Sequence, residues 1–187
     1  MDPRAKKSFH HGDLPNALRA AGRAIIEEAR PDAVDLRATA RRVGVSATAV
    51  YRHFACKDAL LASIAAQGFD ELCAAINAPA GGSDPLLGPA LAYIAFAARS
   101  RGLYRFMFGP IFAERTTYPV LNEAVWRLFD SLRRAVAAVD ERPFPQNAAA
   151  IAAWTSAHGI ASLLIEGILT EADARGLAER VLVTAAE

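Results

Sequence analysis

The sequence predicts an all-α protein with a small N-terminal domain and a larger C-terminal domain. Helical periodicity of apolar residues runs through almost every stretch between the glycines and prolines, and no strand-like alternation stands out. Residues 1–58 hold eleven of the 21 basic and seven of the 20 acidic residues, a net charge of +4, which leaves −3 for residues 59–187. A basic N-terminal region followed by an acidic remainder is typical of a DNA-contacting domain joined to a domain that avoids DNA.

The composition indicates a globular, soluble protein. The chain has 187 residues, of which 53% are apolar, enough to bury a sizeable core. The longest apolar stretch, residues 148–169, contains His158 and Glu166 and so falls short of the about 20 uncharged apolar residues that span a bilayer. The basic start of the chain, MDPRAKKSFHHGD, lacks the apolar stretch of a signal peptide. We therefore expect a cytoplasmic protein with no membrane partner.

Four helices are predicted in the first part of the chain, at about 14–29, 35–43, 46–54 and 57–77. Pro31 ends the first, and Asp35 is a good N-cap for the second. Gly44 can take the left-handed conformation that stops the second helix, and Ser46 can cap the third. The fourth helix leads into PAGGSDP, residues 79–85, the most linker-like segment of the sequence.

Five further helices are predicted, at about 86–100, 102–108, 119–139, 145–169 and 174–185. The 145–169 helix is apolar on nearly all sides, with Ile151 and Trp154 on one side and Ile160 and Leu164 on the other. Such a helix must be covered on two sides. In a protein of this size one cover is its own core, and we expect the second to be a partner subunit. The pattern therefore predicts a homodimer built from this helix and the 174–185 helix.

The segment 36–54, LRATARRVGVSATAVYRHF, has the pattern of two short helices joined by a tight turn at Gly44. Val50 and Phe54 are four residues apart, so they share the buried face of the third helix. The opposite face carries Ala47, Thr48, Tyr51 and Arg52, bordered by His53. Small residues there allow close approach to base edges, and hydroxyl and guanidinium groups can reach bases or phosphates. Lys57 begins the next helix, where a phosphate can be bound. This pattern predicts a DNA-binding helix-turn-helix.

The sequence here resembles the TetR family of transcriptional regulators, over roughly residues 10–65. The residues that carry the resemblance are Arg37, Ala40, Gly44-Val45-Ser46, Tyr51-Arg52-His53-Phe54, Lys57 and Leu60-Leu61. The resemblance implies that Tyr51, His53 and Lys57 hold phosphates while Arg37, Ala47, Thr48 and Arg52 face the bases, and we place the turn residue Ser46 in the same site. HHGDL near the start, and Trp154 followed by His158-Gly159, also resemble the TetR branch whose ligand domain is named for a Trp-His-Gly signature.

Two positions depart from the family pattern. Asp35 stands where a capping threonine or serine is common, and Asp caps a helix equally well. Thr39 stands where an aliphatic residue usually packs against the core, which could weaken the packing of the second helix.

Residues 86–169 are rich in aromatic side chains, most of which we expect to be core. TetR-like proteins keep a ligand cavity between such helices, and ligand pockets are mainly apolar with a few polar anchors. The predicted ligand-binding residues are Phe96, Phe108, Trp126, Trp154 and His158. His158 is equally compatible with a buried histidine that is satisfied by an acceptor or donor within the protein.

The sequence carries no motif that indicates an enzyme, a cofactor or a metal. Cys56 and Cys73 fit neither a disulfide scaffold nor metal-ligand spacing, and the adjacent His10 and His11 lack a third ligand nearby, so an arm that touches DNA or is simply solvated is the expectation for them. We therefore expect no catalytic residues and no resident cofactor.

These features predict a helix-turn-helix DNA-binding domain at 1–56 and a helical effector-binding and dimerisation domain at 57–187. The expected function is a ligand-responsive transcriptional regulator, a repressor released from a pseudo-palindromic operator by a small apolar or amphipathic effector. Two alternatives stay open at this point. One is a constitutive DNA-binding or helical interaction protein without an effector, and the other is an enzyme whose site is assembled only by folding. The sequence does not name the effector or the operator, nor does it distinguish repression from activation.

Overall fold

A computed structural model describes residues 13–28, 33–78, 86–135, 142 and 145–183. Within these ranges the regular secondary structure is helical and contains no strand, which confirms the all-α prediction. The chain divides into two compact units, Met1–Ile64 and Ala65–Glu187, so the division falls inside a long helix rather than at its start. The domain boundary predicted between residues 56 and 57 stays a prediction.

The first unit contains α1 (Leu14–Glu28), α2 (Leu36–Val43), α3 (Ala47–Tyr51) and the start of α4 (Lys57–Asn77). The second contains the rest of α4, then α5 (Leu87–Arg99), α6 (Arg101–Met107), α7 (Pro110–Ala113), a 3-10 turn (Arg115–Thr117), α8 (Pro119–Ala135), α9 (Ala148–Ile165) and α10 (Glu171–Val183).

The core of the first unit forms where α1 packs against α2 and α2 packs against α3. The apolar residues of α1 fall on one face, where Leu18 and Ile26 are buried. Val50 of α3 and Leu60 of α4 are fully buried as well. Helices as short as α2 and α3 are marginal alone, so their stability comes from packing on this shared apolar core.

In the second unit, α5 packs against both α9 and α10, and α9 also packs against α8 and α10. Large side chains fill the space between these helices. Those that are almost completely buried include Phe69, Tyr93, Phe96, Leu103, Tyr104, Met107, Leu121 and Leu128.

The predicted 145–169 helix is too long at both ends. Asn147 is the N-cap of α9, and its side chain accepts the backbone N–H of Ala150 at 2.7 Å. At the other end Gly167 takes the left-handed conformation at φ 76°. The N–H groups of Gly167 and Ile168 donate to the carbonyls of Leu164 and Leu163, which closes the helix with a Schellman motif.

Other helix ends also differ from the prediction. α10 begins at Glu171 rather than near residue 174, because Thr170 and Asp173 form a reciprocal capping box in which each accepts the backbone N–H of the other at 3.2 Å. α3 ends at Tyr51 rather than near Phe54. α7 was not predicted, although Pro110 at its first position is a common helix start. Residues 136–139 of the predicted 119–139 helix lie outside the described residues.

Within the described residues, α4 and α9 are long and apolar enough, by length and composition, to cross a bilayer. Core helices of soluble proteins pass the same test, and the two helices differ in how far they are covered. In the most apolar 18-residue segment of each helix, 56% of the segment is buried in α4 but only 33% in α9. The outer side of α9 carries small residues together with Leu163, whose exposed fraction is 38%. The chain therefore leaves an apolar surface of α9 uncovered.

Candidate DNA interface and effector site

Local hydrogen bonds shape the turn between α2 and α3. The Asp35 carboxylate accepts the backbone N–H of Arg37 at 2.9 Å and so caps α2. Gly44 adopts φ 80°, and its N–H and that of Val45 donate to the carbonyl of Ala40 at 2.9 and 3.0 Å. The Ser46 hydroxyl accepts the N–H of Ala49 at 3.3 Å and caps α3. These bonds satisfy backbone groups that a helix end otherwise leaves unpaired.

The third helix has one buried side and one exposed side. Val50 of α3 is fully buried and Phe54 is 7% exposed, so both lie in the core as predicted, but Phe54 follows the end of α3 and does not share its face. The residues predicted to contact DNA are exposed or half-buried. The exposed ones are Arg37, Ser46, Thr48, Tyr51, Arg52 and His53, and the half-buried ones are Ala47 and Lys57. Tyr51 leaves 53% of its surface in solvent, so its ring and hydroxyl are accessible. The individual DNA contacts stay predictions.

Two side chains of α2 are engaged inside the first unit. Arg42 forms an ion pair with Glu28 of α1, with Nη1 and Oε2 2.8 Å apart. The hydrogen bond from Arg42 lowers the pKa of the Glu28 carboxyl, and the same pair raises the pKa of Arg42. Thr39 is completely buried, and its hydroxyl donates to the carbonyl of Asp35 at 2.9 Å. The threonine therefore occupies the core without an unsatisfied hydroxyl.

A polar network of two buried tyrosines and one half-buried histidine lies in the second unit between α5, α6 and α9. The hydroxyls of Tyr93 and Tyr104 lie 2.9 and 2.8 Å from Nδ1 of His158, and the Tyr104 hydroxyl also lies 3.4 Å from that of Tyr93. Burial raises the pKa of Tyr104 to about 12 and raises the pKa of Tyr93 well above its ordinary value. Burial also lowers the pKa of the His158 imidazole. All three groups are therefore uncharged at neutral pH.

Aromatic rings surround this network. The ring of Phe108 is 4.7 Å from that of His158 and 5.0 Å from that of Tyr104, measured between centroids. Trp154 lies one helical turn before His158, with the two rings 5.6 Å apart, and it also packs edge-on against Phe129 at 5.2 Å. Three of the predicted ligand-binding residues, Phe108, Trp154 and His158, are thus brought together.

The other two predicted ligand-binding residues lie elsewhere in the second unit. Phe96 is fully buried in α5, and Trp126 is 48% exposed and packs its ring against Phe129 at 6.1 Å. Their roles stay predictions. Tyr93 and Tyr104 were not singled out from the sequence, although a tyrosine on an apolar helix needs a hydrogen-bond partner when it is buried.

Concavities also lie between the helices of the second unit. A cavity of about 20 Å³, room for about one water molecule, lies between α5, α8 and α9 and is bordered by Tyr93 and Trp154. A larger groove of about 510 Å³ runs between α5, α9 and α10, with Leu91, Ala95 and Leu164 along it and Arg175 and Glu171 among its few polar residues. Within the described ranges no group of three or more His, Cys, Asp or Glu side chains could hold a metal ion. The adjacent His10 and His11 lie outside the described residues.

Comparison with known protein families finds two matches along the chain. Residues 18–64 match the family of bacterial regulatory proteins of the tetR type, and residues 86–185 match the Tetracyclin repressor-like C-terminal domain. The narrower likeness to the Trp-His-Gly branch stays a prediction. No curated protein matches the chain.

Solved structures are similar over almost the whole chain. A protein of unknown function from Rhodococcus sp. RHA1 is 30% identical, with 96% of this chain and 97% of that chain covered and a TM-score of 0.77. A tetR-family regulatory protein from Rhodococcus RHA1 is 23% identical, with 91% and 94% covered and a TM-score of 0.64. The multidrug binding protein EbrR, solved with imidazole, is 18% identical, with 97% of each chain covered and a TM-score of 0.62. The last two show a common fold.

The matched families account for both parts of the chain, because one covers the capped helix-turn-helix and the other covers the helical unit that holds the tyrosine–histidine network. The chain belongs to the TetR family and is a DNA-binding transcriptional regulator.

Proposed function

We propose that this regulator is a ligand-responsive homodimer, a repressor that leaves a pseudo-palindromic operator when a small apolar or amphipathic molecule binds its C-terminal domain. The DNA-binding part of the proposal rests on the outer face of α3. Thr48, Tyr51 and the C-cap residue Arg52 are exposed there, while Val50 is buried in the core on the opposite face. A short helix that is anchored to the core by one face and presents a polar face to solvent is suited to the major groove.

The dimer rests on the uncovered side of α9. Only a third of the residues in the most apolar segment of α9 are buried. Leu163 of α9, Ile168 just after it and Val181 of α10 are exposed apolar residues. A second copy of the same two helices, α9 and α10, would cover this surface in a two-fold arrangement. Two helix-turn-helix units related by that axis match the symmetry of a pseudo-palindromic operator.

Effector binding rests on the aromatic region around His158. Uncharged polar groups inside an apolar shell are the usual make-up of a small-molecule site. EbrR, which has the same fold, is described as a multidrug binding protein, which supports a ligand role for this domain. The effector is expected to favour a dimer whose DNA-binding units no longer match the operator spacing, with a coupling of about 1–3 kcal/mol.

The operator claim is tested with fluorescence anisotropy on labelled fragments of the promoter region of the protein's own gene. One fragment should bind saturably and far more tightly than a scrambled fragment of equal length. Equal binding to both would contradict an operator-specific regulator.

The dimer claim is tested by sedimentation at micromolar protein concentration. A dimer is the expected species. A monomer under these conditions would rule out the proposed interface.

The effector claim is tested by thermal shift with a panel of apolar and amphipathic compounds, because a ligand that binds only the folded protein raises its Tm. Compounds that raise Tm should then weaken operator binding. If such a compound left operator affinity unchanged, the regulatory claim would fail while the binding claim survived. A protein without an effector would show no stabilisation by any compound.

A further inference from the structure

The exposed side of α2 carries three arginines, Arg37, Arg41 and Arg42. Arg37 and Arg41 are four residues apart, so they lie along the same edge of the helix. The residues of the opposite side are buried in the core of the first unit, and they are Leu36, Thr39, Ala40 and Val43. The three arginines therefore project from a helix that is anchored to the core by its other side.

The segment that contains both helices of the helix-turn-helix is rich in positive charge. Residues 36–57 include five arginines and lysines and no aspartate or glutamate. A cluster of basic residues without acidic neighbours is the electrostatic footprint of nucleic-acid binding. The arginines that no acidic residue from another part of the protein balances are the ones available to a phosphate.

The structure separates two neighbouring arginines by this criterion. Arg42 pairs with Glu28 of α1 through both terminal guanidinium nitrogens, with Nη1 2.8 Å from Oε2. Within the described part of the chain, the side chains of Arg37 and Arg41 form no ion pair. The charge of Arg42 is therefore offset inside the protein, whereas the charge of Arg41 is not.

The side chain of Arg41 is not needed to close α2. The N–H of Gly44 donates to the carbonyls of Ala40 and Arg41, and the N–H of Val45 also donates to Ala40. Backbone groups thus satisfy this helix end, and a cation in the last turn adds only a modest interaction with the helix dipole. When a helix-turn-helix binds DNA, its first helix crosses the backbone while its second lies in the major groove. The exposed edge of α2 just before the turn is therefore suited to meet phosphates.

We propose that Arg41 contacts a phosphate of the DNA backbone and strengthens binding without reading the base sequence, whereas Arg42, which Glu28 holds, does not. A guanidinium group can form two parallel hydrogen bonds to a phosphate, so an exposed arginine is well suited to this contact. The proposal rests on the DNA-binding part of the proposed function and on none of the operator, dimer or effector claims.

Arg41→Gln and Arg42→Gln are the matched pair that tests the proposal. Both variants remove one positive charge from adjacent positions, and glutamine favours a helix about as well as arginine does. Anisotropy titrations at several salt concentrations use the full-length protein and two labelled duplexes of unrelated sequence and equal length. Arg41→Gln should weaken binding to both duplexes by the same factor and make the log–log salt slope shallower by about 0.9 for each lost contact. Arg42→Gln should change the slope by less than half as much.

Arg41→Lys keeps a positive charge at the same position and should keep the salt slope of the parent protein. Urea denaturation shows whether each variant folds. If Arg41→Gln did not fold, Arg41→Met would replace it, because methionine also favours a helix and removes the charge. The proposal is overturned by an unchanged slope in the uncharged variant, by equal changes at positions 41 and 42, or by a loss confined to one duplex.

These results are separate from the operator test. A parent protein that binds promoter and scrambled fragments equally would contradict the operator claim and would still show the effect of Arg41→Gln. A parent protein that binds neither duplex would contradict the DNA-binding role and this proposal together.

Discussion

The outer face of α3 and the network around His158 are both polar features on otherwise apolar helices, yet their environments are opposite. Tyr51 leaves about half its surface in solvent, whereas Tyr104 is 2% exposed. A hydroxyl in water can exchange partners at little cost, so an exposed face is free to meet DNA. A buried hydroxyl must find its hydrogen-bond partner inside the protein, as Tyr93 and Tyr104 do at His158.

The largest expected effect is on operator binding and separates base contacts from phosphate contacts on the exposed face. Arg52→Ala should weaken specific binding more than non-specific binding, because a bidentate contact to guanine discriminates by about 1–3 kcal/mol. Lys57→Ala should weaken both alike and make the log–log salt slope shallower by about 0.9 per lost contact, or roughly twice that per dimer. Anisotropy titrations at several salt concentrations on operator and scrambled DNA measure both. If Arg52→Ala weakened all sequences equally, Arg52 would be a backbone contact.

The turn that positions this face should depend on one glycine. Gly44 has φ 80° with open space around its Cα, so Gly44→Ala adds backbone strain rather than a clash. The left-handed conformation costs a residue with a Cβ about 1–2 kcal/mol, and the free energy of unfolding should fall by that amount. Gly44→Asn is the matched control, because asparagine tolerates this conformation better, and it should lose less. Urea denaturation measures both, and equal losses would argue against strain as the cause.

Two Tyr→Phe variants compare the regions directly. Tyr104→Phe removes a buried hydroxyl bonded to His158 and should lower the free energy of unfolding by about 1 kcal/mol. Tyr51→Phe removes an exposed hydroxyl and should leave stability within about 0.5 kcal/mol of the parent, while weakening DNA binding through a lost phosphate contact. Denaturation and anisotropy on the same two proteins provide the test. The reverse pattern would mean that the two tyrosines have been assigned the wrong roles.

The smallest expected effect is on the pH dependence of stability. Burial lowers the pKa of His158 from 6.5, so the folded state binds a proton there less readily than the unfolded state. Its contribution to stability is therefore present above pH 6.5 and is lost as the pH falls below that value through the folded pKa. Thermal melts between pH 7.5 and 5 should show this loss, and His158→Gln should make the profile flatter in that window. An unchanged profile would mean that His158 does not titrate with folding.

Much of the N-terminal unit could be predicted because its signals are local in the chain. The N-cap residues Asp35 and Ser46 and the glycine at position 44 each act over a few residues, and the structure has them as predicted. Val50 and Phe54 are both buried, although α3 ends before Phe54. Helix ends were less predictable where a cap competes with apolar periodicity. At Gly167 and at the Thr170–Asp173 capping box, backbone geometry outweighs the apolar pattern that suggested longer or later helices.

The sequence by itself determined the helical class, the two-part organisation and the helix-turn-helix, because periodicity, capping and turn residues act between near neighbours. Only the tertiary structure decided which polar groups meet inside the second unit. Tyr93 and Tyr104 are 65 and 54 positions from His158 in the sequence, and no local sequence pattern predicts that both hydroxyls lie next to the same imidazole nitrogen. Burial depends on how the helices pack, and a hydroxyl or an indole N–H needs a hydrogen-bond partner inside the protein only once it is buried.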